Sequence, residues 1–412
     1  MGNLDKKTLE ILTGSRIGEC SFSASWFWRM FPARMRRRWW LFRPFDLLVR
    51  YSPVFRKKSG LLVVRMDGIG DMVLFRRVLD EYADVFNVKK TNITVLGCNS
   101  WAEIGGEIFD GYKLCLIDEH KFARRPFYRL KVGLTVRKIA PAVTICDSYF
   151  RRAMMADSLV WMARAKKSIS SLPFINESTR AEFTYYLSQV DQVVDTGSYP
   201  THEILRHYRF LSEVSGKKIS IKAPKIIWRD QYPLVLDVKN KNSPYVVLNP
   251  GSNEYGRRWP IQYYLSIANY LLDMGLSIII VGGQNEQILD LPNYFTDERI
   301  IDLTGKTKLP ELLDILNHAA CVISNDTGPA HLSIALKTPT VVVIGGGHFG
   351  SFVPYPDEIR PPNVKFAFED MPCYHCFWRC TKRKNKTDAF PCVSKISVDT
   401  ILKHTRTLLS AV

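Results

Sequence analysis

The chain lacks any uninterrupted apolar run approaching the roughly 18 residues that a membrane-spanning helix needs, so no such helix is expected. Its first stretch, MGNLDKKTLEILTG, lacks the charged start, apolar centre and small-residue cleavage site of a secretory signal, and the protein is expected to be made and kept in the cytoplasm. Acid is also short. Against 57 Lys+Arg stand 40 Asp+Glu, a net charge of +17 and a pI near 9.4, which points to an anionic partner: phosphate, nucleic acid or a membrane surface. What is present in ordinary amounts excludes disorder, since 46% hydrophobic and 24% charged residues suit a globular chain, and 412 residues suit two domains plus an extension.

From Leu61 the pattern is a regular alternation. LLVVR is a short apolar strand, DGIGD a turn and MVLFRRVLDEY a helix; the strands NITVLG, KLCLID and AVTICD follow with helix-length segments between them. Short, continuously apolar strands separated by helices predict a parallel sheet covered on both faces. The polar, lysine-rich segment 226–244 reads as a linker, after which the alternation restarts with YVVLNPGS. Next comes a helix whose Tyr264, Ile267, Ala268, Leu271 and Leu272 fall on one face, with Gly275 as its stop. The expected organisation is an extension over 1–59, an α/β domain over 60–225, the linker over 226–244 and a second α/β domain over 245–412. Two doubly wound domains facing each other would form an interdomain cleft.

In open α/β sheets ligands bind beyond the carboxyl ends of the strands, where helix N-termini offer unpaired N–H groups. Three loops of the second domain belong there: NPGSNEYGRRWP, GGQNE and NDTGPAH. Ser252, Asn253, Arg257, Arg258 and Thr327 can donate to phosphate oxygens, Lys306 adds a cation, and a diphosphate is the natural occupant. Asp326 can equally be a helix cap, and His331 a core histidine satisfied by a carbonyl. Glu286 can accept from ribose hydroxyls. Asp71, at the helix start after GIG, is either a cap or a general base. No two aspartates stand in D-x-D spacing, so a carboxylate-bound metal at the diphosphate is not expected; arginine, lysine and helix dipoles would neutralise it.

Four pieces in this order resemble glycosyltransferase family 9, the bacterial heptosyltransferases of lipopolysaccharide assembly and their relatives. They are VVRMDGIGDMVLFRRVL (63–79), LNPGSNEYGRRWPIQYY (248–264), IIVGGQNEQ (279–287) and DLTGKTKLPELLDILNHAACVISNDTGPAHLSIALKTPTVVVIGG (302–346). The resemblance implies a GT-B fold, two Rossmann-like domains with the donor held mainly by the second. It implies inverting transfer of a sugar, ADP-heptose favoured as donor, to a glycolipid or glycan of the bacterial surface (lipopolysaccharide, O-antigen or capsule), with no cofactor for the chemistry. By position, Asp71 resembles the family's catalytic base. Asp326, Thr327, Gly328 and His331 resemble its donor motif, and Glu286 its ribose contact. Arg257 stands where the family usually has Lys, keeping the charge but not the point geometry. Asp67 replaces a small polar residue and is expected to alter acceptor contacts. A protein serine as acceptor is the second reading. A nucleotide-binding scaffold without catalysis is the reading from another class.

Two segments lie outside that pattern. Cys373, Cys376, Cys380 and Cys392 have C-x2-C-x3-C-x11-C spacing, which can supply four thiolates to a structural zinc or iron; some relatives look to carry iron at similar groups. The other reading is a set of reduced or partly oxidised surface thiols in a lysine-rich loop, and the expected role of a metal is to brace a loop on the acceptor side. The segment Trp26 to Lys58 alternates Arg and Lys with Trp, Phe and Leu. It reads as a stretch lying in an anionic membrane interface, which would make the protein peripheral on the inner membrane. Alternatively it is a helical arm packed on the protein or a second subunit. A nucleic-acid stripe is the third reading, with no nucleic-acid-binding motif beside it.

Overall fold

The computed structural model describes residues 29–234, 244–286 and 297–410; residues 1–28 of the extension, 235–243 of the linker and the end of the 279–287 motif lie outside the described residues. Two compact units emerge. The first holds the described residues up to Gly68, Val78–Tyr199 and Ile204–Ser220; the second holds Ile69–Arg77, Pro200–Glu203 and the described residues from Ile221 onward.

The first unit is built on six parallel strands: β1 (Leu61–Arg65), β2 (Ile93–Cys98), β3 (Lys113–Ile117), β4 (Val143–Cys146), β5 (Lys167–Ser171) and β6 (Gln192–Val194), in spatial order β3-β2-β1-β4-β5-β6. Every residue of LLVVR is buried, as a central strand covered on both faces requires. The order reverses between β1 and β4, which is the topological switch point of a doubly wound sheet.

The helix Arg37–Tyr51, expected as part of a separate extension, is built into this unit. Trp39, Phe42, Asp46 and Val49 recur at three- and four-residue spacing and are buried, Trp39, Phe42 and Val49 within the core that also takes Val132, Val136 and Met162. It packs on the helix Pro126–Ile139, where Gly133 permits the approach: a Cβ there would lie 2.8 Å from a Val49 methyl. Asp46 receives both Nε and Nη2 of buried Arg129 at 2.6 and 2.7 Å. The described part of the basic segment is therefore an arm packed on its own unit.

The second unit repeats the architecture with β7 (Tyr245–Asn249), β8 (Ser277–Ile280), β9 (Ile300–Asp302), β10 (Cys321–Asn325), β11 (Thr340–Val343) and β12 (Val364–Ala367), ordered β12-β11-β10-β7-β8-β9. The helix Ile261–Asp273 buries the face its spacing predicts, Tyr264, Ile267, Ala268, Leu271 and Leu272, and Gly275 follows at φ +82°. The start of the expected linker is tied to this unit: Ile226 N–H donates to Ala335 O, and Trp228 and Arg229 share the Asp314 carboxylate. No described helix is long and apolar enough to cross a membrane.

Candidate functional site

The second unit's switch point lies between β7 and β10, whose register pairs Asn249 with Ser324. Both strands end in a buried asparagine, and each fixes the loop of the other. Asn249 Nδ2 donates to Ser324 Oγ at 2.9 Å and to Thr327 Oγ1 at 2.8 Å. Asn325 Nδ2 donates to Pro250 O at 2.7 Å, while its Oδ1 accepts from Trp259 N–H and the Tyr264 hydroxyl. An apolar strand end is thus converted into a rigid polar frame that presents residues 250–258 and 326–331 together.

Within it Asp326 is the centre. The helix Gly328–Leu336 begins at Thr327 with no side-chain cap, so the cap reading of Asp326 is not realised. Its carboxylate instead accepts from Arg257 Nη2 at 3.0 Å, and its main-chain carbonyl accepts from the same nitrogen. His331 Nε2 lies 3.6 Å from the other carboxylate oxygen, and His331 Nδ1 lies 3.1 Å from the Tyr355 hydroxyl, so this buried histidine is held by side chains and not by a carbonyl. Burial would raise the Asp326 carboxyl, but the Arg257 charge and His331 outweigh it and hold its pKa below the ordinary value. The result is a charged carboxylate with a cation on one side and the start of a nine-residue helix on the other.

The other expected residues divide. Ser252 is buried, and its hydroxyl has no hydrogen-bond partner among the described residues, an orphan donor at the mouth of β7. Arg257 Nε is a second buried donor without a partner among the described residues. Arg258 is spent locally, Nε donating to Ser252 O at 3.0 Å, and Asn253 is exposed. Glu286 is folded back, its Oε2 accepting from Gly283 N–H at 2.8 Å, and a Cβ on Gly251 would lie 2.4 Å from that oxygen; only glycine fits there. Lys306 is exposed and donates to Asp302 O at 2.8 Å.

Asp71 stands in the first turn of the helix Ile69–Val85, whose N-cap is Gly68. Residues Ile69–Arg77 pack with the second unit, and a Cβ on Gly70 would lie 3.0 Å from His331 Cδ2. The turn that carries Asp71 therefore rests on the ring that faces Asp326. Asp67 is fixed inside the first unit, its carboxylate taking Arg65 Nε at 2.7 Å and the Ser148 hydroxyl at 3.0 Å. Arg65 also donates to Asp147 at 2.7 Å, and Asp147 accepts from the Tyr82 hydroxyl and faces His207 Nδ1, each at 2.8 Å. All four of these last residues are fully or almost fully buried. Sequence reading missed this network because its members are scattered over 140 positions.

The cysteines gather: Cys373, Cys376, Cys380 and Cys392 line one cavity of about 20 Å³. Yet among the described residues no group of three or more His, Cys, Asp or Glu side chains is arranged to hold a metal ion, so the spacing alone does not produce a finished ligand set. Their segment lies on the glycines after β11. A Cβ on Gly347 would lie 2.2 Å from the Trp378 ring, and one on Gly346 2.2 Å from Tyr374. Trp378 in turn carries Arg257, whose guanidinium sits 4.5 Å from its ring centroid. The segment thus packs beneath the Arg257–Asp326 pair of its own unit. His348, also overlooked in the sequence, sits 4.9 Å from the Phe377 ring. Burial first, and then the Arg257 charge, push its pKa down to about 4. The run GGGH after β11 was the available signal.

Two Rossmann-like units, with a cation-held carboxylate at a helix start on the second switch point, define a GT-B protein, and comparison with known proteins agrees. The model of glycosyltransferase family 9 (heptosyltransferase) matches residues 176–384, just over half of the chain, and the chain belongs to that family. Lipooligosaccharide heptosyltransferase 2 of Campylobacter jejuni is 24% identical over 215 residues, covering 50% of this chain and 64% of that protein, so the match spans under two thirds of the relative. A family 9 glycosyltransferase from Veillonella parvula has the same fold with TM-score 0.67 at 17% identity, covering 87% of this chain and all of that one. The E. coli ADP-heptose lipopolysaccharide heptosyltransferase II superposes with TM-score 0.63 at 15% identity, covering 85% and 99%. The iron-containing dodecameric glycosyltransferase TibC of enterotoxigenic E. coli superposes with TM-score 0.53 at 13% identity, covering 86% and 77%.

Proposed function

We propose that this protein is an inverting glycosyltransferase that moves a heptose from an ADP-linked donor to a hydroxyl of a bacterial surface-glycan acceptor. The observation that carries the reading is Asp326, held charged by Arg257 and His331 at a helix start, with the orphaned Ser252 hydroxyl in the adjoining loop. In this reading the donor's nucleotide half sits on that frame. Glu286 swings from Gly283 to the ribose, and the diphosphate takes Ser252 Oγ, the unpaired Arg257 Nε and the helix N–H groups. Asp71 takes the proton of the acceptor hydroxyl, whose oxygen bonds to the anomeric carbon. The carbon–oxygen bond to the diphosphate breaks on the opposite face, and the diphosphate leaves with the electron pair. No step needs a cofactor.

The test is calorimetric titration of ADP-heptose and of UDP-, GDP- and dTDP-linked hexoses into the wild type, Asp326→Ala and Asp71→Asn. Selective binding of ADP-heptose is expected, weakened about 10- to 100-fold in Asp326→Ala by loss of charge-assisted bonds. In Asp71→Asn binding should persist while turnover falls about 100- to 10,000-fold, the usual worth of a general base. Full turnover in Asp71→Asn sinks the assigned chemistry; binding of no donor favours a scaffold.

We also propose that the four cysteines hold a structural zinc or iron. All four cysteines line one small cavity, and a metal would draw their thiols into the ligand set that they do not form by themselves. Gly346 N–H already donates to Cys392 Sγ at 3.4 Å, and His375, Phe377 and Trp378 adopt φ of +68°, +52° and +61°, strained values that a metal-bound knuckle would offset. Such a metal would brace Trp378 beneath Arg257. Metal analysis of the purified protein and of Cys376→Ser decides: the wild type should carry about one zinc or iron per chain and the variant should not.

A further inference from the structure

Two helices of the first unit expose side chains for which glycosyl transfer has no use. Residues 29–58 contain ten Arg and Lys and a single acid, Asp46, which is buried against Arg129. The helix Pro126–Ile139 contains no acid. With their inner faces packed on each other, the two helices leave Leu41, Leu48 and Tyr51 outward, followed by Phe55, with Phe127 and Leu134 on the second helix. Phe55 is 98% exposed, Phe127 79% and Leu48 64%, and Phe45 of the first helix meets Phe127 of the second at 5.9 Å between ring centroids, so exposed apolar side chains of the two helices adjoin, which marks a contact surface.

A cation cluster borders this surface where the Arg37–Tyr51 helix ends. Arg50 donates to Trp161 O, Lys58 to Arg164 O and Arg137 to Ser52 O; these cations pair with helix-end carbonyls and not with carboxylates. Lys166 and Arg164 join them, and Arg164 lies over the exposed Tyr51 ring at 5.5 Å. A cavity of about 150 Å³ opens beside Arg50, Arg164 and Lys166. Two acids reach it: Asp157 is paired with Arg151, while Asp191 is hydrogen-bonded to neutral Ser168 and keeps its charge, so Arg50, Arg164 and Lys166 outnumber it there. Partial burial first, and then Arg137, Arg164, Lys166 and Arg50, hold the Lys58 ammonium below its ordinary pKa, as expected of clustered like charges.

We infer that this two-helix face docks on an anionic lipid bilayer, its apolar side chains entering the acyl boundary and the cation cluster taking lipid phosphates. Each cation near such a surface contributes a factor of about 5, the equivalent of about 1 kcal/mol, and Leu and Phe side chains add burial that free phosphate cannot reward. A second copy of the chain is a poorer occupant, because a self-complementary contact through this face would set cations against cations. The inference is independent of the donor and acceptor proposed above.

Flotation of the full chain with phosphatidylcholine vesicles, with and without phosphatidylglycerol, tests it. Binding should need the anionic lipid and fall about tenfold or more at high salt. A similar fall is expected in the Leu48→Asp/Phe55→Asp variant and, separately, in Arg164→Glu/Lys166→Glu. Both variants should keep the wild-type melting temperature and nucleotide-sugar binding, which excludes misfolding. Equal binding to uncharged vesicles, or no binding by the wild type, overturns the inference. So does sedimentation showing self-association that Leu48→Asp/Phe55→Asp abolishes, which would make the face an interface between copies.

Discussion

Arg257 holds Asp326 at two points with one nitrogen, the carboxylate oxygen at 3.0 Å and the main-chain carbonyl before the helix. The arginine therefore sets both the charge and the backbone path at the start of Gly328–Leu336. Arg257→Ala should leave a largely buried carboxylate without its cation, costing about 1–3 kcal/mol of stability. Its loss of donor affinity should exceed that of Arg258→Ala, whose guanidinium donates to Ser252 O and lies over the Tyr255 ring. Arg257→Lys should be intermediate, since an ammonium keeps charge but not the planar fork. Chemical denaturation and donor titration on the three variants would check the order.

His348 gives the pH dependence a definite sign. Its pKa falls from the ordinary 6.5 to about 4 in the fold, so between those values the unfolded chain takes up a proton that the folded one refuses. The stability that neutral His348 contributes is full above pH 6.5 and declines as the pH falls toward 4. His348→Gln should flatten this part of the curve relative to the wild type. Parallel slopes for both proteins between pH 4 and 6.5 would contradict it.

Gly347→Ala should displace Trp378, because the new methyl would lie 2.2 Å from the indole and the ring is wedged against Phe390 in a stacked pair at 5.9 Å. Overpacking of this kind costs about 1–3 kcal/mol. Donor binding should weaken in step, since Arg257 rests on the same indole. Quenching or a shift of Trp fluorescence together with the melting temperature would reveal it.

Asp147→Asn in the first unit should be destabilising. It removes one of the two carboxylates that face Arg65, 2% exposed, leaving Asp67 as the other, at a cost of about 1–3 kcal/mol. His207 and Arg65 together hold the native Asp147 carboxyl well below its usual pKa despite its burial, so the ionised form is the one being removed. Urea denaturation would measure the loss, and an effect below about 1 kcal/mol would show that the network is not held by that charge.

How much of this was legible beforehand depends on how local the signal was. The strands LLVVR, YVVLN and TVVV, the buried face of Ile261–Asp273 and the stop at Gly275 could be read because each follows from side-chain period and backbone freedom within a few residues. The polar residues framing the ends of β7 and β10 could be named for the same reason: strand ends in doubly wound sheets carry the polar loops, and Asn325 to His331 interrupts an apolar run. Their partnerships could not. That Asp326 takes Arg257 instead of capping its helix, that Arg258 turns away to Ser252 O, and that Trp378 carries Arg257 across 121 positions were decided when β7 and β10 were brought side by side and the Gly345–Gly347 run admitted the cysteine segment. The basic segment makes the same point. Its alternation of cations and aromatics is a fact of the sequence, but the inward face is seen only in the packing, where Trp39, Phe42 and Val49 join the core, Gly133 admits Val49, and Leu48 and Tyr51 lie outside. Period and composition are properties of neighbours along the chain; pairing of charges depends on close packing between parts of the chain far apart in sequence.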